Sequence, residues 1–148
     1  MIAFETSVAI ERPIDEVFAY LTDPCNFPSW NSAVQAVRKT SRGSDGPGST
    51  YSMERRLPTG RATNELETVV HEQPHLFAIQ TTSGPTPFLY RYRLATDRSA
   101  TVVTLDAQVE LDGVAAFLPQ LARRAVKKGV DDNLATLKTV LEKRHSAA

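Results

Sequence analysis

"GVAAFLPQLARRAVKKGVDDNLATLKTVLEKR", residues 113–144, decides the fold. Leu118, Leu121, Ala125, Val130, Leu134, Leu137 and Leu141 recur at near-helical spacing, so the stretch reads as one long amphipathic helix of about eight turns. Pro119 fits that reading only in the first turn, where its missing N–H has no intrahelical partner to lose, so the regular helix starts near Ala116 or Phe117. Gly129 costs ~1 kcal/mol relative to alanine in a helix interior and marks a packing contact or a bend. A helix this long needs a broad apolar surface to cover.

That surface lies upstream. From Ala33 to Leu111 the pattern is strands and turns: about 33–40, 49–57, 62–73, 76–83, 87–96 and 100–111. "SRGSDGPGS" (41–49), "PTG" (58–60), "QPH" (73–75), "SGPTP" (83–87) and "TDRSA" (96–100) supply the turns. Links this short favour an antiparallel meander, because parallel pairing needs long crossovers. At the N-terminus Ile2, Phe4, Thr6, Val8 and Ile10 alternate with polar residues, the pattern of a half-buried strand. A short helix follows. Pro13 suits its first position, Asp15 and Glu16 suit the positive end of its dipole, and Ile14, Val17, Phe18 and Leu21 form its apolar side. Pro24 stops it and opens "DPCNFPSW" (23–30), a loop too apolar for open water. The chain thus reads as α+β, with one or two short helices, seven strands and a long helix covering the sheet. A curved sheet stands off from that helix near one end and leaves room for a pocket.

At 148 residues the chain reads as one domain, 1–148, able to bury roughly 70% of its unfolded surface without a disulfide or metal staple. Cys25 has no second cysteine to pair with, and no CxxC, HExxH or His/Cys cluster calls for a metal; no cofactor is implied. Seventeen basic residues balance seventeen acidic ones, so no global field favours nucleic acid or an anionic membrane. "MIAFETSVAIERP" lacks the basic start and apolar run of a signal peptide, and no stretch reaches the ~18 apolar residues of a membrane span, which points to a cytoplasmic protein. "RRAVKK" (123–128) is followed by Asp131 and Asp132 at i+4 from Lys127 and Lys128, the pattern of a solvated helix face.

Several of these stretches resemble the START-like, or SRPBCC, superfamily, most closely its polyketide cyclase/dehydrase branch. The residues that carry the resemblance are "VAIERPIDEVFAYLTDPCNFPSW" (8–30), "GST" (48–50), "SGPTPFLYRYRL" (83–94) with "VTLDAQVEL" (103–111), and "NLATLKTVLE" (133–142). It implies the helix-grip fold: a seven-stranded curved antiparallel sheet wrapped around the C-terminal helix, with two short helices between strands 1 and 2. The superfamily spans aromatase/cyclases, lipid-transfer domains and binders of plant metabolites. A shared fold transfers no chemistry by itself.

Strand parity assigns the pocket. Phe88, Tyr90, Tyr92 and Leu94 share the inner face of their strand, as do Phe77, Ile79 and Thr81, and Val103, Leu105, Ala107, Val109 and Leu111. On residues 49–57 the inner set is Tyr51, Met53, Arg55 and Leu57. Arg55 then has two readings. It is a buried guanidinium that needs an internal acid or a ligand oxygen, or it reaches from a strand end into water. Tyr90 and Tyr92 are core tyrosines or pocket hydroxyls. On residues 62–73 Leu66, Thr68 and Val70 face inward, which leaves Glu65, Glu67 and His71 solvated; the opposite parity makes a Glu/His pair a general-base candidate. Phe27 and Trp30 close the core at one end and wall the pocket, Cys25 packs as a small buried side chain, and His75 and His145 receive no role. Leu118, Leu121 and Ala125, with Ala122, alternate bulky and small residues where the helix borders the gap.

The function these expectations support is binding of a hydrophobic or aromatic small molecule in a cavity between sheet and helix. One alternative is a metal-free cyclase, aromatase or dehydratase in which Arg55 or a tyrosine polarises a carbonyl toward its enolate. A protein-interaction module is the second alternative, and a homodimer is compatible with each.

Overall fold

The computed structural model describes residues 1–57 and 60–146. The expected turn at "PTG" (58–60) therefore lies mostly outside the described residues, as does the side chain of His145. Seven strands are present: β1 (Ile2–Ile10), β2 (Val34–Lys39), β3 (Thr50–Leu57), β4 (Gly60–Glu72), β5 (Leu76–Ser83), β6 (Phe88–Asp97) and β7 (Ala100–Val109). They form one sheet in the order β1-β7-β6-β5-β4-β3-β2, every pair antiparallel. The meander is thus continuous from β2 to β7, and β1 closes the far edge.

Between β1 and β2 lie α1 (Ile14–Leu21), a 3-10 turn (Pro24–Asn26) and α2 (Phe27–Trp30). Pro13 is the residue preceding α1 rather than its first helical one, and Val17, Phe18 and Leu21 turn into the core as the sequence predicts. The Asp23 carboxylate accepts from the Cys25 N–H at 3.0 Å, which fixes the 3-10 turn. Cys25 itself is exposed, correcting the expectation that it packs as a buried side chain: the turn aims its thiol outward while Pro24 and Phe27 face in. Burial and the nearby Asp23 and Asp45 carboxylates raise its pKa, so it is a poor thiolate nucleophile.

α3 (Pro119–Ser146) follows a 3-10 turn (Gly113–Phe117). Its second half is fixed along β1. The Thr6 hydroxyl donates to Asp131, Lys138 Nζ donates to the Ala9 carbonyl at 2.7 Å, and Arg12 Nη2 donates to the Glu142 carbonyl at 2.9 Å. Successive steps of three residues from Thr6 to Arg12 match steps of seven and then four on α3. With rises of about 3.3 and 1.5 Å per residue, the two elements run alongside each other.

The expected apolar stripe of α3 divides in two. Ala122, Val126, Val130, Leu134, Leu137 and Leu141 follow in steps of three or four, and the last four are buried. Leu121 and Ala125 lie one residue out of step, which rotates each about 100° from its in-step neighbour. Both are exposed, and Leu118, one turn beyond the packed residues, is exposed as well.

A second correction concerns β4. Its pairing with β5 shifts between Thr68 and Val70: Thr68 lies opposite Ile79, Val70 opposite Ala78 and His71 opposite Phe77. The extra residue is Val69, which is exposed. Such a bulge reverses the parity beyond it. His71 therefore turns inward, where its ring meets the edges of Phe18 (centroids 5.2 Å apart) and Phe77 (6.2 Å). Glu67 stays opposite Gln80 on the other face, so the Glu/His pair does not form.

Candidate functional site on the concave face

The concave face carries a continuous aromatic layer. Phe77 stacks on Tyr92 with ring centroids 6.0 Å apart, Tyr92 meets Tyr90 edge to face at 6.4 Å, and Phe88 lies against Tyr90 at 4.5 Å. Alternation along β6 and the β5–β6 register produce this layer, because Phe77 pairs with Tyr92 and Ile79 with Tyr90. Met53 is buried on the same face of β3.

Arg55 stands at the end of this layer. Its guanidinium carbon lies 5.8 Å from the centre of the Phe88 ring, and Nη2 donates to the Pro85 carbonyl at 3.0 Å. Nε is buried and has no hydrogen-bond partner. Among the described residues no carboxylate pairs with Arg55. Burial lowers its pKa while the neighbouring Tyr90 hydroxyl opposes that shift, and a guanidinium so placed stays cationic. Burial pushes the Tyr90 pKa up to about 12, with Arg55 pulling the other way, so this hydroxyl keeps its proton at neutral pH. Burial and the adjacent Tyr90 raise the Tyr92 pKa in the same direction.

Asn64 completes the group, and the sequence reading missed it. It is fully buried, and its Nδ2 donates to the carbonyls of Ser83 (3.1 Å) and Pro85 (2.9 Å), leaving Oδ1 without a partner. Arg55 and Asn64 therefore converge on one carbonyl oxygen of the β5–β6 turn. That turn is seated tightly. Gly84 has φ +101°, and a Cβ there would stand 2.5 Å from the Thr63 carbonyl oxygen, so only glycine allows the approach. The Thr86 N–H donates to Asp112 at 2.9 Å and ties the other side of the turn to the segment leading into α3. Asn64 shares parity with Leu66 and Thr68, a signal that could have found it.

The structure separates the other sequence-predicted residues from this group. Tyr51 is buried, but its hydroxyl donates to Asp45 at 2.6 Å and Lys39 pairs with the same carboxylate at 3.0 Å. Burial raises the Asp45 pKa, yet the bonds from Tyr51 and Lys39 outweigh it and the net shift is downward. That hydroxyl is thus committed within the protein, as the raised Tyr51 pKa, due to burial and then to the Asp45 bond, also reflects. Phe27 and Trp30 pack edge to face, centroids 5.5 Å apart, within the core, and Trp30 Nε1 is buried without a partner. Leu118, Leu121 and Ala125 do not join the aromatic layer.

Two surface clefts accompany this arrangement. One of ≈ 150 Å³ is lined by Met1, Thr81, Pro87, Phe88, Leu89, Gln108 and Glu110, of which only Phe88 belongs to the aromatic layer. A larger one of ≈ 260 Å³ lies outside α1, where Arg144 stacks 4.7 Å over Tyr20. Size alone favours the second, but its lining of Glu16, Ala19, Tyr20, Asn26 and Arg144 offers no buried unpartnered group. The concave face does, which makes it the candidate. Among the described residues no three His, Cys, Asp or Glu side chains are grouped to hold a metal ion.

A seven-stranded antiparallel meander curled beside one long C-terminal helix, with an aromatic concave face, defines a helix-grip protein. The chain belongs to the family described as polyketide cyclase/dehydrase and lipid transport, which it matches over residues 1–142. Solved structures agree on the fold. The TTHA0849 protein of Thermus thermophilus is 13% identical with TM-score 0.82, covering 97% of this chain and 99% of its own. A START superfamily protein from Mycobacterium smegmatis is 13% identical, TM-score 0.76, over 95% and 97%. The Zhui aromatase/cyclase of a Streptomyces species is 19% identical, TM-score 0.70, over 97% and 94%. No curated protein sequence matches the chain.

Proposed function

We propose that the protein binds a hydrophobic or aromatic small molecule on its concave face and anchors an oxygen of that molecule on Arg55. The observation that carries this reading is the pairing of Arg55 and Asn64: a half-buried and a fully buried side chain on one aromatic face, each with one buried polar atom unpartnered among the described residues. Buried polar groups are ordinarily satisfied, because leaving one unmade costs about 1–3 kcal/mol. Arg55 Nε–H is a donor for a carbonyl, phenolate, enolate or carboxylate oxygen, and Asn64 Oδ1 accepts from a hydroxyl beside it. Phe88 and Tyr90 offer ring faces for stacking. The test is to extract the purified protein with organic solvent, identify released compounds by mass spectrometry, and titrate each back. An aromatic or hydrophobic compound that raises the melting temperature supports the reading. If nothing copurifies and no member of a broad aromatic and lipid panel shifts the melting temperature, the reading fails.

A second reading, cyclase or dehydratase chemistry, is favoured by the neighbouring Arg55 and Tyr90. A cation and a neutral phenol beside one carbonyl stabilise developing enolate charge without a metal. In that case Tyr90→Phe lowers kcat on a poly-β-ketone substrate while leaving its Kd nearly unchanged. A raised Kd with kcat unchanged assigns Tyr90 to binding alone.

A further inference from the structure

We infer that the start of α3 is a docking element for the surface of a bilayer that contains anionic lipid. Phe117, Leu118 and Leu121 are 85%, 55% and 63% exposed, the largest apolar side chains left open together in the described residues. Core packing does not account for them, because Leu121 is out of step with the buried stripe and Phe117 lies in the preceding 3-10 turn. Their charge surroundings select the partner. Residues 113–130 contain Arg123, Arg124, Lys127 and Lys128 and no Asp or Glu.

Arg124 and Lys128 stand three and seven residues beyond Leu121, on the same side of the helix. They lie about 4.5 and 10.5 Å farther along its axis. Lys127 and Lys128 pair with Asp131 and Asp132 at the far end of this stretch, so the expected solvated face is present there. Nearer the apolar tip, Arg123 donates to the Ala3 carbonyl at 3.1 Å and Arg124 is exposed; among the described residues neither has a carboxylate partner.

An apolar tip followed within one or two turns by cations matches the bilayer boundary, whose headgroup layer is roughly 5–8 Å deep on each side. The leucines and phenylalanine enter the acyl boundary while the guanidinium and ammonium groups remain among the phosphates. A second copy of the chain fits less well, since a stable dimer buries roughly 800 Å² per partner and the exposed tip comprises three large side chains. No helix of the described residues is long and apolar enough to span a membrane, so the contact is with the surface. The 3-10 turn follows β7, whose Val109 pairs with Phe88, so docking presents the Arg55 end of the concave face to the bilayer.

Flotation of the full chain with vesicles tests the inference independently of any bound ligand. The protein is expected to float with phosphatidylcholine vesicles containing phosphatidylglycerol, to do so poorly with phosphatidylcholine alone, and to be released by added salt. Phe117→Ser with Leu121→Ser, and separately Arg124→Gln with Lys128→Gln, are expected to weaken flotation roughly tenfold at unchanged melting temperature. Arg91→Gln, a charge change on an exposed strand residue, is expected to float as the parent. No flotation with the anionic vesicles, or equal flotation of both double variants and the parent, overturns the inference. A concentration-dependent dimer abolished by Phe117→Ser with Leu121→Ser, in a protein that does not float, assigns the tip to a second copy and overturns it too.

Discussion

Arg55 is the residue on which the account turns, because its charge sits on an aromatic face with no acid among the described residues to neutralise it. Parity along 49–57 already placed it there, and parity along 87–96 placed Phe88, Tyr90 and Tyr92 opposite. What the sequence left open was the company Arg55 keeps. Its fixed partner is the carbonyl of Pro85, a backbone atom that residue types do not announce, and Asn64, although in parity with Leu66 and Thr68, gives no sign in the sequence that it holds the same carbonyl. Tyr90 supplies a pH test. Its native pKa of about 12 exceeds the unfolded value of 10.0, so the folded state holds this proton more tightly than the unfolded chain does. The associated stability is fully present below pH 10 and is lost as pH rises toward 12. Tyr51 and Tyr92, whose pKa values are raised as well, lose stability over the same range, so the test is the difference: urea denaturation should show a loss smaller by on the order of 2–3 kcal/mol in Tyr90→Phe than in the parent. Tyr51→Phe removes the bond to Asp45 and should cost about 1 kcal/mol by the same measurement at neutral pH.

Elements were more legible than their irregularities. Strand starts and ends follow from turn residues and alternation, and all seven strands fall close to their expected ranges. The bulge at Val69 has no such signal: "ETVVHE" reads equally well in either parity, and a single added residue sends His71 inward. The long helix shows the same effect on a different period. Seven apolar residues appear as one stripe, yet the five-residue step from Ala125 to Val130 turns the helix through about 140° beyond one full turn and divides it. Packing then decides which part is core. Leu137→Ala should destabilise the fold by about 2–5 kcal/mol, whereas Leu121→Ala should change it by less than about 0.5 kcal/mol, as thermal or urea unfolding reads out. Gly84→Ala forces a Cβ against Thr63 and Asn64 at a positive φ, and should destabilise by more than about 1 kcal/mol while loosening the Pro85 carbonyl from Arg55.

For the whole molecule, one long helix beside a single curved sheet leaves a concave face with few but fixed polar groups, the face on which we propose that an apolar ligand binds. A ligand bound only to the native state at a hundred times its Kd adds about 2.7 kcal/mol of stability. The most direct measurement is fluorescence titration with anilinonaphthalene sulfonate, an aromatic probe carrying an anionic oxygen group, against the parent, Arg55→Met and the more exposed Arg56→Met. The account predicts saturable binding by the parent and Arg56→Met, about tenfold weaker binding by Arg55→Met, and similar melting temperatures for the three unliganded proteins. Equal affinity of Arg55→Met and the parent, or the absence of saturable binding in the parent, would contradict it.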